Sequence, residues 1–200
     1  MSVDSKFQEA VLVGAIVKAF FDDGGEPIGN FRLQKAVYFA RRHGGEKALD
    51  EEYLKKAAGP YNPKMKYSGG IAIAKKKGYI REARGRYGFG HIVGSEADEL
   101  SDYLGRDHYA PYVEAANWVR DTFKFKKNDD WERLATVDYA ILDLEARGND
   151  VTGQAILNYI RSDAEWAPKI AKLELTAARL DNLIHDTRTL FATVGQADGG

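Results

Sequence analysis

Cysteine is absent from all 200 residues, which removes disulfides, thiolate zinc sites and cysteine nucleophiles together and points towards a cytoplasmic protein. Histidine is scarce: His43, His91, His108 and His185 fall on four separate predicted elements without ligand spacing, so neither a metal site nor a cofactor is expected. Ser68 stands before two glycines but lacks the strand-to-helix elbow of a serine nucleophile. Gly85, Gly88, Gly90 and Gly94 are followed by no helix start and no GK[ST], so they read as hairpin glycines rather than a phosphate cradle. Long apolar runs are missing as well. Ala10 to Phe21 is interrupted by Lys18 and falls short of the roughly 20 residues a spanning helix needs, and neither a signal segment nor a membrane span is expected. No internal repeat and no low-complexity linker is visible.

What is present is an ordinary globular composition, 44% hydrophobic and 30% charged, enough to bury a real core. The net charge of −1 conceals a split. Through Ser95 there are 17 basic against 10 acidic residues; beyond it there are 12 against 20. Between Lys55 and His91 ten basic residues face one acid, Glu82. A solvated surface mixes signs, so the run predicts a basic binding half and an acidic half.

Apolar spacing and end signals predict a mainly α protein. Asp4 or Ser5 opens a helix to about Phe21, with Phe7, Val11, Leu12, Ala15, Ile16 and Phe20 on one face. A second runs from Gly29 or Asn30 to His43, and a short third from Leu49 to Ala58. Gly59 to Pro63 reads as a turn, and a lysine-rich helix from Lys64 to Lys77 is broken at Ser68 to Gly70 because paired glycines disfavour a helix interior. Tyr79 to Val93 reads as a β-hairpin turning at Arg84 to Arg86. Further helices follow: Ser95 to Leu104, Pro111 to Phe123, Asp129 or Asp130 to Gly148, Thr152 past Ile160, and a final one from Pro168 to Phe191. The expected organisation is a winged-helix-like part over 1–94, a helical part over 95–194 packed on it, and a disordered tail over 195–200.

Lys64, Lys66, Lys75, Lys76, Lys77, Arg81, Arg84 and Arg86 are the candidate partner- or nucleic-acid-binding residues, suited to phosphate contacts. Lysine predominates where base reading asks for Arg, Asn or Gln, so the pattern favours backbone affinity over sequence specificity. Tyr61, Tyr67, Tyr79, Tyr87 and Phe89 are placed either to stack on bases or to pack the hairpin. The acidic residues of the second half, among them Asp129, Asp130, Glu132, Asp138, Asp143 and Glu145, read mostly as solvated helix faces.

FRLQKAVYFARRHGG (Phe31 to Gly45), EYLKKAAGPYNPKMKYSGG (Glu52 to Gly70) and KKKGYI (Lys75 to Ile80) resemble the Panacea domain of SocA-like antitoxins. They are also similar to a domain accompanying type I restriction-modification proteins. WERLATVDYAILDLEARG (Trp131 to Gly148) is similar to a helix that recurs after this domain. Leu33, Gln34, Lys35, Tyr38, Gly59, Pro60 and Tyr61 match the shared pattern; Leu33 and Tyr38 read as core, Gly59 and Pro60 as turn. Gly69–Gly70 and the triple lysine depart from it. The resemblance implies a non-enzymatic module that neutralises a toxin or phage-defence effector by direct binding. Duplex-DNA binding, as an autoregulator or a restriction-modification accessory, is the alternative, and an enzymatic reading would centre on Asp129, Asp130 and His108. The oligomeric state is open.

Overall fold

A computed structural model describes residues 3–45, 53–56 and 59–192 and is mainly α-helical. In chain order its elements are α1 (Val3–Gly24), α2 (Asn30–His43), β1 (Leu54–Lys56), β2 (Gly59–Tyr61), α3 (Pro63–Tyr67) and α4 (Gly70–Lys76). There follow β3 (Ile80–Gly85), β4 (Gly88–Val93), α5 (Ala97–Leu104), a 3₁₀ turn (Asp107–Tyr109), α6 (Ala110–Phe123), α7 (Asn128–Ala146), α8 (Gly153–Arg161), α9 (Lys169–Lys172) and α10 (Ala177–Ala192). The chain forms two compact units, Met1–Ala40 with Asn62–Phe125, and Arg41–Tyr61 with Lys126–Gly200. The expected seam at Gly94 therefore lies inside the first unit. There the Gly94 N–H is bonded to the Tyr79 carbonyl at 2.9 Å, and a Cβ at Gly94 would stand 2.1 Å from the Gly78 carbonyl oxygen.

The first unit is built around α1. Ala10, Val11, Leu12, Val13, Ala15, Ile16 and Val17 are all buried, a wider apolar surface than one stripe, because α4, α5, α6 and β4 all pack on this helix. Each fully buried Val, Leu or Ile side chain among them contributes roughly 1.5–3 kcal/mol. Phe39 and Phe123 stack at 4.5 Å between ring centres with their planes 8° apart.

The break in the lysine segment has a packing cause. Asn62 caps α3 by accepting the Met65 N–H at 3.3 Å, and Pro63 occupies the first turn, where its missing donor costs nothing. The chain then re-enters helix at Gly70, whose N–H reaches the buried Glu9 carboxylate of α1 at 2.5 Å. A Cβ at Gly69 or Gly70 would come within 2.8 or 2.6 Å of the Glu9 side chain. The glycine pair lets α4 approach α1.

β3 and β4 pair antiparallel from Ile80↔Val93 to Gly85↔Gly88, leaving Arg86 and Tyr87 as the turn. Gly88 takes φ +115, a value open mainly to glycine. The ladder thus runs two residues further than the sequence implies. Ile28 bridges His91 on the free edge of β4, exchanging backbone hydrogen bonds of 3.0 and 2.9 Å.

In the second unit Leu54–Lys56 form a strand rather than the third helix. They pair with Gly59–Tyr61, so the GPY segment is also strand and not only turn. A helix of so few residues is marginal alone, and the strand pairing satisfies the same backbone groups. The remainder of that expected helix, Leu49–Glu52 and Ala57–Ala58, lies outside the described residues, as does the tail over 195–200.

α7 is the second unit's central helix and packs on β2, α8 and α10. Its N-cap is Lys127, whose N–H is bonded to the Asp130 carboxylate at 3.2 Å, rather than Asp129 or Asp130. Likewise Glu96, not Ser95, precedes α5, without a side-chain cap. The helix expected from Pro168 to Phe191 is two helices, α9 and α10, separated where Glu174 adopts φ +52. Gly153 opens α8 against α10: its N–H reaches Asp181 at 2.6 Å, and a Cβ would stand 2.0 Å from the Ala177 carbonyl.

Candidate functional site

All eight cations singled out in the sequence, Lys64, Lys66, Lys75, Lys76, Lys77, Arg81, Arg84 and Arg86, are exposed and belong to the first unit. They do not form one flat patch. Residues opposite each other across the hairpin share a face, so Arg84 stands beside Phe89 and Glu82 beside His91, whereas Arg81 lies with Ile92 on the reverse face. Arg86 occupies the turn. Lys77 is turned towards α1, its ammonium 5.9 Å from the Phe7 ring centre.

Three aromatic rings accompany these cations in the open. Tyr67 is 72% exposed, Tyr87 87% and Phe89 74%. Cations lie over each: Lys66 over Tyr67 at 5.3 Å, Arg86 over Tyr87 at 5.6 Å and Arg84 over Phe89 at 6.0 Å. Rings this exposed keep most of their apolar surface open to a partner. Tyr79, by contrast, is core, with its hydroxyl bonded to Glu99 at 3.0 Å.

On the hairpin face that carries Glu82, Phe89 and His91 is a recess of about 230 Å³, lined by these three with Lys66 and Lys75, Asn30 at the start of α2, Ile71 and Gly90. Lys75 and Glu82 are ion-paired at 2.7 Å. The hydrogen bond from Lys75, aided by its charge, holds the Glu82 carboxyl below its ordinary range. His91 is 5% exposed and its Nδ1 has no hydrogen-bond partner. Burial pushes its pKa down, which the neighbouring Glu82 charge opposes. Neither His91 nor Asn30 was legible as a site residue. The alternation of Ile80, Glu82 and Arg84 against Phe89, His91 and Val93 was the available signal, since it places the hairpin's only acid beside its only histidine.

Leu33, Gln34, Lys35, Tyr38, Gly59, Pro60 and Tyr61, singled out in the sequence, are mostly interior. Leu33 and Tyr38 are fully buried, Gln34 is 2% and Lys35 1% exposed, and Gln34 Nε2 donates to the Asn62 carbonyl at 3.3 Å. Gly59 and Pro60 are buried in β2 and Tyr61 is half-buried. Glu132 and Asp138, read as solvated, are buried instead. Glu132 accepts from Lys169 and, at 2.6 Å, from Lys172, while Asp138 accepts a paired interaction from Arg42 at 2.8 and 3.1 Å. Asp130 is bound to Arg133 at 2.8 Å, and His108 lies edge-on to Tyr109. Among the described residues no group of three or more His, Asp or Glu is placed to hold a metal ion, and no helix is long and apolar enough to cross a membrane.

Compared with known proteins, the chain matches no family model and no curated protein.

Proposed function

We propose that the chain is a cytoplasmic, non-enzymatic binding protein that neutralises a toxin or phage-defence effector by covering it. The surface it uses carries Arg84, Arg86, Tyr87 and Phe89 on the hairpin, with Lys66 lining the same recess as Phe89. The observation that carries this reading is the pairing of three exposed rings with three cations on adjoining elements. Aromatic and Arg side chains dominate protein-binding hot spots because they bury large areas at low entropic cost. The antitoxin-like segments supply the biological setting, and their interior positions in this chain suit a role in forming the fold rather than in touching the partner.

Co-expression with the product of the adjacent gene tests the proposal. The expected result is a stable complex and rescue of growth from that gene's toxicity, both lost in Arg84→Glu/Arg86→Glu. A neighbour that neither binds nor is neutralised would overturn it.

A second reading, duplex-DNA binding, is favoured by the order of elements: helix, bridging residue, helix, short helices and hairpin, as in a winged helix-turn-helix. Against base reading, the N-terminal end of α4 is held on α1 through Glu9 and Gly70, and its exposed cations sit at the opposite end. Backbone contact by n cations would give a salt slope of about −0.9n. A duplex shift that is absent, or insensitive to salt, removes this reading.

A further inference from the structure

β3 is the outer strand of the hairpin. α1 packs on β4, and the far edge of β4 is occupied by Ile28, which exchanges both backbone bonds with His91. Those two bonds fix the direction of the peptide groups along the whole ladder. Because His91 turns its N–H and C=O towards Ile28, it forms with Glu82 opposite one of the pairs that share no backbone bond. The peptide groups of Glu82 therefore point away from β4, and by the alternation of the ladder so do those of Arg84. Among the described residues neither finds a backbone partner on that side, and Arg81, Glu82 and Arg84 are all exposed. A row of unpaired N–H and C=O groups is a template for another strand.

The order of charges along this edge selects the strand that fits it. Glu82 and Arg84 stand symmetrically about Ala83 and share one face. A second β3 laid antiparallel, Ala83 against Ala83, brings Glu82 of each copy opposite Arg84 of the other, in pairs that exchange backbone bonds. On the reverse face Ala83 then meets Ala83 and Arg81 meets Gly85, so no like charges stand opposite. Centring the pair on Glu82 or on Arg84 would oppose like charges, which destabilises a sheet, and a shift by one residue would turn the outward peptide groups of one strand towards the inward ones of the other. One register is favoured by both charge and backbone. Lys75 engages Glu82 through Oε1 at 2.7 Å, but the Glu82 side chain remains 60% exposed, open to a second cation.

We propose that the β3 edge binds a second copy of this chain, β3 against β3 about a two-fold axis at Ala83, joining the two hairpins into one continuous antiparallel sheet held by reciprocal Glu82–Arg84 pairs. Phe89 lies beside Arg84 on the same face of the hairpin, so the join sets the cation-and-ring surfaces of the two copies side by side. This goes beyond the reading of that surface as a toxin- or effector-binding face and does not depend on it.

Sedimentation equilibrium of the full chain alone, over a concentration series, tests the proposal without any other protein. The expected result is a reversible monomer–dimer equilibrium whose dissociation constant rises about tenfold or more in Glu82→Arg and in Arg84→Glu, since each reversal opposes like charges twice across the two-fold axis. An equimolar mixture of the two variants should recover the wild-type affinity as a heterodimer, because one edge is then wholly positive and the other wholly negative. In amide hydrogen exchange followed by NMR, the Glu82 and Arg84 amides of the wild type should slow as concentration rises. A chain that stays monomeric, a dimer equally tight in both single variants, a mixture that fails to recover affinity, or a dimer in which those two amides exchange as fast as in the monomer would each overturn it.

Discussion

The two units place their most prominent charges differently. In the second, Glu132 with Lys169 and Asp138 with Arg42 are turned inward and engaged, with Lys172 reaching Glu132 from the surface. In the first, eight cations on α3, on α4 and its C-cap and on the hairpin are exposed, and among the described ion pairs only Lys75 of the eight has a carboxylate partner. Buried charges tolerate little change because removing one partner strands the other. Exposed ones cost little to alter and are available to a partner. The acidic balance of the second half, read along the sequence as surface, is therefore partly interior structure, while the basic balance of the first is a surface in fact.

The sharpest way to break this contrast is to strand the buried charge. Glu132→Gln leaves Lys169, 2% exposed, without its carboxylate, and should lower stability by about 3–5 kcal/mol, measured by urea denaturation; a loss under 1 kcal/mol would mean that water reaches the cluster. The same group sets a pH dependence. Burial would raise the Glu132 carboxyl, but the hydrogen bonds from Lys169 and Lys172 outweigh it and hold the pKa below the usual 4.5. Its contribution is then present in full above about pH 4.5 and lost as pH falls through the depressed folded value. Stability profiles of wild type and Glu132→Gln should accordingly converge in acid.

A smaller effect is expected beneath the basic face. Gly70→Ala forces a Cβ to within 2.6 Å of Glu9 and should cost about 1–3 kcal/mol as overpacking. Glu9 is a flexible side chain, so a loss near zero would show that it swings clear and that α4 does not depend on this approach. Smallest of all, Arg84→Glu/Arg86→Glu should change stability by no more than about 0.5 kcal/mol, as exposed substitutions do, while abolishing partner binding. A large stability loss would place these arginines with the inward charges of the second unit.

The sequence made the helical class, the break at Gly69–Gly70, the hairpin and the exposed cations readable, because each rests on local signals: apolar spacing, glycine pairs, alternation, a one-sided charge run. What escaped depends on distant residues. Tyr53 to Tyr61 looked like helix then turn, since nothing local announces that Leu54–Lys56 will pair with Gly59–Tyr61. Glu132 looked solvated because its partners, Lys169 and Lys172, are nearly forty residues away in the chain. His91 looked incidental because its recess is assembled from α2, α3, α4 and the hairpin together.

The central claim, that the outward charge of the first unit is a binding surface for a protein, is tested most directly by calorimetric titration of the adjacent gene's product into wild type and Arg84→Glu/Arg86→Glu. Saturable binding by the wild type, weakened by about tenfold or more in the variant, is the predicted result. Equal affinity for both would contradict it.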